Sequence, residues 1–194
     1  MKPLLAHDAT VKALLFTSLA VLIAAEFVVR RRSSGRGSSS REWTVVFMIV
    51  VIALTSVAAI YAVNHDIAVL PGGPWWPVVV GLVLMWLGSL LRMWSMVTLG
   101  RFFQLTLIIQ DDHRIVEQGP YRWLRHPSYL GIIVSLAGIG FVQGNWVSLA
   151  AMSAGGVIAV LVRIPIEERL LLGELGERYA SYARRTARLL PGLY

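Results

Sequence analysis

Five apolar runs punctuate this chain, and polar residues collect in the gaps between them. The first run covers about Val11–Val29, the second Trp43–Val63 and the third Trp75–Val97. Each is long enough, as a helix, to cross a hydrocarbon core of about 30 Å. The first is too long for a signal peptide and lacks the small-residue cleavage site of one. Trp75, Trp76 and Trp94 stand at the ends of the third as interfacial anchors. Two further runs, Ser128–Val142 and Trp146–Ile164, are joined by Gln143-Gly144-Asn145 and predict a helical hairpin over 128–164. Its first arm makes only about 22 Å of helix, so it is either a short span or a helix that stops part-way. Both alternatives put the two ends of the hairpin on the same side.

The gaps differ in character. Arg30–Arg41 is a basic, Ser/Gly-rich linker with too few apolar residues to fold. Asn64–Pro74 carries the turn signal Pro71-Gly72-Gly73-Pro74 and no Lys or Arg. Within 98–127, Phe102–Ile109 is apolar and rich in strand formers, which predicts an extended or interfacial segment. Gln110–Arg114 reads as a turn. The tail, Pro165–Leu190, places Ile166, Leu170, Leu175, Tyr179 and Tyr182 at near-helical spacing among arginines. That pattern predicts an amphipathic helix on the membrane surface. The fold class is therefore all-α integral membrane, with about five hydrophobic helices and a C-terminal amphipathic interfacial helix.

Composition sharpens this picture. The chain is 56% hydrophobic and 15% charged, with a mean hydropathy of +0.65. It has no Cys, which removes disulfides, thiol nucleophiles and thiolate metal sites. The net charge of +7 raises the question of nucleic acid. Its distribution answers otherwise: arginines cluster in segments that alternate with apolar runs, the positive-inside pattern, and so serve topology and anionic lipid. Arginine far outnumbers lysine, which points to a GC-rich, prokaryotic source. The expected location is a prokaryotic inner (plasma) membrane, with the N-terminus outside and the C-terminus inside.

A chain this apolar does not carry charge at the mouths of its spans without cause, and the clusters at 125–129 and 163–168 are expected to meet in one polar pocket at the membrane surface. Arg125-His126-Pro127-Ser128-Tyr129 opens the fourth helix, where Pro suits the first turn. The helix N-terminus favours anions, and Arg125 can hold a carboxylate bidentately; ordinary interfacial anchoring is the alternative. Arg163 and the Glu167-Glu168 pair flank Pro165, which predicts a helix break near 164. Both acids then fall in the first turn of the tail helix. They either complement its dipole or bind a ligand cation while Arg163 holds an anion. Two more charges lie toward span ends: Glu26, which reads as a local partner of Arg30, and Arg92, which either snorkels or lines the pocket. Asp111-Asp112-His113 offers metal-ligand types, but adjacent turn residues point apart, so no metal is expected. No dinucleotide fingerprint, P-loop or nucleophile elbow occurs.

The stretch Asp112–Gly131 (DHRIVEQGPYRWLRHPSYLG) resembles the signature of the isoprenylcysteine carboxyl methyltransferase family. Arg163–Leu190 resembles that family's ending: an Arg, a Glu pair, then Gly176-Glu177-Arg178-Tyr179-Ala180-Ser181-Tyr182. The small prokaryotic members with five membrane helices are the nearest in kind. The resemblance implies a methyltransferase that uses S-adenosylmethionine and forms a methyl ester on a lipophilic, prenylated or similar carboxylate arriving from the bilayer. Residues 1–97 would form an N-terminal three-span region, and 98–194 a cofactor-binding and catalytic region with its active site facing the cytoplasm. By position, His113, Val116, Gly119, Tyr121, His126, Pro127 and Tyr129 would contact the cofactor. Glu167 or Glu168 would take its amino group, and Arg125 and Arg163 would orient the substrate carboxylate. The signature is also similar to membrane phospholipid N-methyltransferases, and the architecture to sterol-reductase-like enzymes. A lipid amine acceptor and a non-enzymatic scaffold remain the alternatives.

Overall fold

The computed structural model describes residues 3, 5, 8–33, 43–73, 75–100 and 115–191. Six α-helices account for most of them: α1 (Ala9–Ser33), α2 (Trp43–Asn64), α3 (Trp75–Leu99), α4 (Pro127–Val142), α5 (Trp146–Leu175) and α6 (Glu177–Arg185), with a 3₁₀ turn at Gly119–Arg122. Four of them, α1, α2, α3 and α5, are long and apolar enough to cross a membrane, and α4 is a shorter apolar helix. The predicted class, an all-helical membrane bundle, is the one observed. No strand forms among the described residues beyond isolated bridges at Val69–Asn145 and Leu124–Ala187.

The helices lie side by side in the order α1, α3, α4, α5, α2. The most extensive contact joins α3 to α4, and glycine makes it possible. A Cβ on Gly88 would lie 2.5 Å from the Ser135 amide nitrogen, and one on Gly138 would lie 2.5 Å from that of Met85. Gly81 faces Gly138 and Gly88 faces Gly131 in the same way. Small residues let two backbones touch where lipid provides no hydrophobic drive for association. The Ser89 and Ser135 hydroxyls stand 3.2 Å apart across this seam, and Ser135 Oγ also donates to the Met85 carbonyl at 3.2 Å.

Local chemistry sets the helix ends. The Asp8 carboxylate accepts from the Thr10 amide at 2.7 Å and from that of Val11 at 3.2 Å, capping α1. Asn145, fully buried, accepts from the Ser148 amide at 2.7 Å and caps α5. At that end the α2–α3 loop is pinned, since the Leu70 amide donates to the Gly144 carbonyl and that of Trp146 to Ala68.

Two expectations are corrected here. The helix does not break near 164: α5 runs without interruption through Pro165 to Leu175. Proline removes one donor, but in a bundle the freed carbonyl is tolerated and the helix continues. The tail is accordingly not one helix over 165–190. It comprises the last turns of α5, a break at Gly176 (φ +55°), the short α6, and an extended strap after it. Of the two readings open for Arg92, the structure favours the inward one: its Nη2 donates to Glu26 Oε1 of α1 at 2.7 Å. Residues 30–33 of the expected linker continue α1. Its remainder, the extended segment 102–109 and the turn 110–114 lie outside the described residues.

Candidate active site

The head of α4 organises the polar residues. The chain enters it through Gly119 (φ +54°), where a Cβ would lie 2.9 Å from Thr98 Oγ1 and 3.2 Å from Trp94 Nε1 of α3. Only glycine combines that left-handed backbone with that space. The 3₁₀ turn then buries Tyr121, and Pro127 begins α4 with His126 as its N-cap residue.

The strap after α6 clasps this segment. The Ala187 amide donates to the Trp123 carbonyl at 3.0 Å, and the Arg125 and His126 amides donate to the carbonyls of Ala187 (2.7 Å) and Arg188 (3.1 Å). Leu189 anchors the strap in an apolar cluster with Val160 and Ile164. Tyr182 Oη donates to the Tyr121 carbonyl at 2.8 Å, fixing α6 over the turn. Burial, reinforced by the Glu117 charge, raises the Tyr182 phenol to about 12. Burial, followed by Glu167, also lifts Tyr121 well above the usual range, and burial with Glu168 does the same for Tyr179. All three phenols stay neutral at physiological pH.

Because α5 continues through Pro165, Arg163 and Glu167 share one face, one turn apart. Tyr129 meets both: its hydroxyl donates to Glu167 Oε2 and accepts from Arg163 Nε at 2.6 Å. Arg163, only 3% exposed, also donates from Nη1 to Thr44 Oγ1 of α2 at 2.7 Å. A buried guanidinium survives in such surroundings only when its donors are satisfied.

Glu168 gathers the second group. Its Oε1 accepts from Arg125 Nε at 2.7 Å and lies 3.3 Å from His126 Nε2; its Oε2 accepts from Arg188 Nε at 2.9 Å. Arg125 further donates from Nη1 to the Ala183 carbonyl at 2.7 Å and to that of Thr186. His126, buried, stands between the two acids, with Nδ1 4.0 Å from Glu167 Oε1. Its ring stacks on Tyr129, with centroids 5.5 Å apart at 20°.

The structure thus brings together Tyr121, Arg125, His126, Pro127, Tyr129, Arg163, Glu167 and Glu168 from the two sequence clusters. Val116 is half-buried, Gly119 packs on α3, and His113 is outside the described residues. Sequence reasoning passed over Thr44 and did not foresee the ion pair of Arg92 with Glu26. Arg92 Nη1 donates to Ser128 Oγ at 2.8 Å, right behind Pro127. The signal available was that Glu26 and Arg92 are opposite charges set within two apolar runs.

The family model for the isoprenylcysteine carboxyl methyltransferase (ICMT) family matches residues 79–173. Protein-S-isoprenylcysteine O-methyltransferase B of Arabidopsis thaliana is 31% identical over 143 residues, covering 72% of this chain and 73% of the relative. The chain belongs to the isoprenylcysteine carboxyl methyltransferase family. It is accordingly an integral-membrane carboxyl methyltransferase and draws on a methyl donor. YpbQ, an uncharacterized protein of Bacillus subtilis (strain 168), is 23% identical over 167 residues, covering 81% of this chain and 95% of the relative. The solved structure of the eukaryotic intramembrane Ras methyltransferase ICMT superposes with a TM-score of 0.61 at 25% identity. It covers 74% of this chain, which spans 52% of that larger one. The family's membrane-helical fold and the expected resemblance both hold.

Proposed function

We propose that this enzyme esterifies the carboxylate of a lipophilic, prenylcysteine-like acid with the methyl group of S-adenosylmethionine, at the cytoplasmic face of a prokaryotic inner membrane. The observation that carries the reading is the convergence of Tyr129, His126, Arg163 and Glu167 at the mouth of two apolar helices. Three features fit a sulfonium donor that bears an ammonium and a carboxylate. Glu167 has its Oε1 turned toward His126 at 4.0 Å, beyond hydrogen-bond length, and can accept an ammonium. The His126 and Tyr129 rings offer faces for a sulfonium, a cation–π contact of about 0.5–2 kcal/mol. The Tyr179 hydroxyl is buried with no hydrogen-bond partner among the described residues, an orphan a ligand can satisfy.

S-adenosylmethionine, when bound, supplies an electrophilic methyl group and leaves as a neutral thioether. The chain's own part is alignment and field. Glu167 takes the ammonium, while His113, Val116, Gly119, Tyr121, His126, Pro127 and Tyr129 enclose the rest. Glu168, saturated by Arg125, His126 and Arg188, supports the site by holding the strap on the α4 head. Arg163 and Arg92 present positive charge to a substrate carboxylate, with Arg125 acting through the clasp. A carboxylate is ionised at pH 7 and needs no general base. The acid's tail stays in the bilayer, and the arginine distribution sets the cytoplasmic orientation.

The test is calorimetric titration of S-adenosylmethionine into the detergent-purified protein and a Glu167→Ala variant, with mass spectrometry of a farnesylated N-acetylcysteine acceptor. Saturable binding lost in the variant, and a base-labile methyl ester, are expected. A folded protein that binds no S-adenosylmethionine refutes the reading.

A further inference from the structure

Glu26 stands apart from every other acid near the site. It lies on α1, outside the residues 79–173 that match the family model. Its carboxylate accepts from Arg92 Nη2 at 2.7 Å, and Arg92 Nη1 donates to Ser128 Oγ at 2.8 Å. The carboxylate bound by Arg92 is therefore seated beside the N-terminal turn of α4, a place that favours anions. Ser128 precedes Tyr129 in the chain, so this seat lies at the same α4 mouth as the Tyr129–Glu167–Arg163 group.

The three arginines differ in how exchangeable their acid is. Arg125 is bound to Glu168 and two backbone carbonyls of its own strap. Arg163 is held by Tyr129 and Thr44 and is 3% exposed. Arg92 has a partner on α1, the helix at one end of the row, which packs chiefly on α3. The Glu26 side chain is 27% exposed against 12% for Arg92. Three residues later the apolar run ends, and Arg30, Arg31 and Arg32 follow in sequence. A carboxylate released from Arg92 lies at the end of the apolar run, where a polar side chain can turn toward headgroup water.

We propose that Glu26 is an internal stand-in for the substrate carboxylate: it occupies Arg92 in the ligand-free enzyme, yields it to the incoming lipophilic acid, and retakes it once methylation has removed the product's charge. This rests on the functional reading above and adds a substrate-discriminating device to it. One carboxylate replaces another, so Arg92 is never left as an unpaired buried cation, which would be costly. The neutral ester cannot compete for the guanidinium, and the return of Glu26 favours its departure into lipid.

The test measures equilibrium binding of farnesylated N-acetylcysteine and of its methyl ester to the full chain in lipid nanodiscs, wild type against Glu26→Gln. S-adenosylmethionine calorimetry runs on the same preparations. Removing the competitor is expected to tighten acid binding about tenfold, or about 1.4 kcal/mol, with ester binding changed less than about twofold on the same scale. Acid affinity unchanged or weakened in Glu26→Gln overturns the proposal and makes Glu26 a clamp between α1 and α3. No acid binding to either protein, with S-adenosylmethionine still bound, overturns it while leaving the cofactor reading intact. Absence of both removes both. Should Glu26→Gln fail to fold, Glu26→Asp lengthens the pair and is expected to tighten acid binding by a smaller factor; wild-type affinity there overturns the proposal.

Discussion

Gly88→Ala tests the α3–α4 seam directly, because the atom it adds meets the backbone of the neighbouring helix. The new Cβ would lie 2.5 Å from both the amide nitrogen and Oγ of Ser135 and 2.6 Å from the Gly131 carbonyl oxygen. Ordinary contact starts at 3.4 Å, so α3 and α4 must separate by about 0.9 Å or rotate. Overpacking of this kind costs about 1–3 kcal/mol. The displacement also reaches chemistry, since Arg92 of α3 bonds to Ser128 at the α4 head across the same seam. A shift of about 1 Å in an aligned site costs up to about a hundredfold in rate. Gly173→Ala is the control: it is helical and nothing lies within 4 Å of its would-be Cβ. There alanine is expected to be neutral or stabilising by up to about 1 kcal/mol. Thermal unfolding in one detergent, with methyl transfer at saturating donor, reads both variants. If Gly88→Ala matches Gly173→Ala in stability and rate, the backbone contact between α3 and α4 does not organise the site.

Two further outcomes follow from the clasp. Arg125→Leu leaves Glu168 without one cation and frees the Ala183 and Thr186 carbonyls. It is expected to expose the chain after α6 to limited proteolysis and to weaken S-adenosylmethionine binding; unchanged protection of the C-terminus would refute the clasp. The Tyr182 phenol, raised by burial from the usual 10 to about 12, binds its proton more tightly in the folded state. Its contribution is complete below pH 10 and is lost as pH rises toward 12, so stability should fall across that window. Tyr182→Phe should flatten the fall, and an unaltered alkaline profile would contradict it.

Much of this architecture was legible because a bilayer imposes length and polarity together. The spans were readable from hydropathy, and the meeting of the 125–129 and 163–168 clusters from the cost of charge in lipid. Pro165 misled because a rule for water-exposed helices was applied inside a bundle, where neighbours absorb the missing hydrogen bond. The environment of Arg125 was hidden for another reason: two of its acceptors are backbone carbonyls of Ala183 and Thr186, which no residue-type pattern displays. Thr44 and Glu26 were hidden by distance, 119 residues separating Thr44 from Arg163 and 66 separating Glu26 from Arg92. Neither spacing has a local signature.

The lateral order of the helices dictates how the protein must be born. Helices α1 and α2 emerge first from the ribosome, yet they sit at opposite ends of the row and wait for partners made later. The partner of α2 is α5, which begins at Trp146, some eighty residues beyond Asn64. At ~5–20 residues per second that is a delay of about 4–16 s. Through it, α2 must persist as a lone guest of the lipid, and its mean hydropathy of 2.6, against 1.7 for α3, equips it to do so. A nascent chain stopped before α5 would leave α2 inserted, stable and permanently unmated, with Thr44 still lacking the arginine it is built to hold.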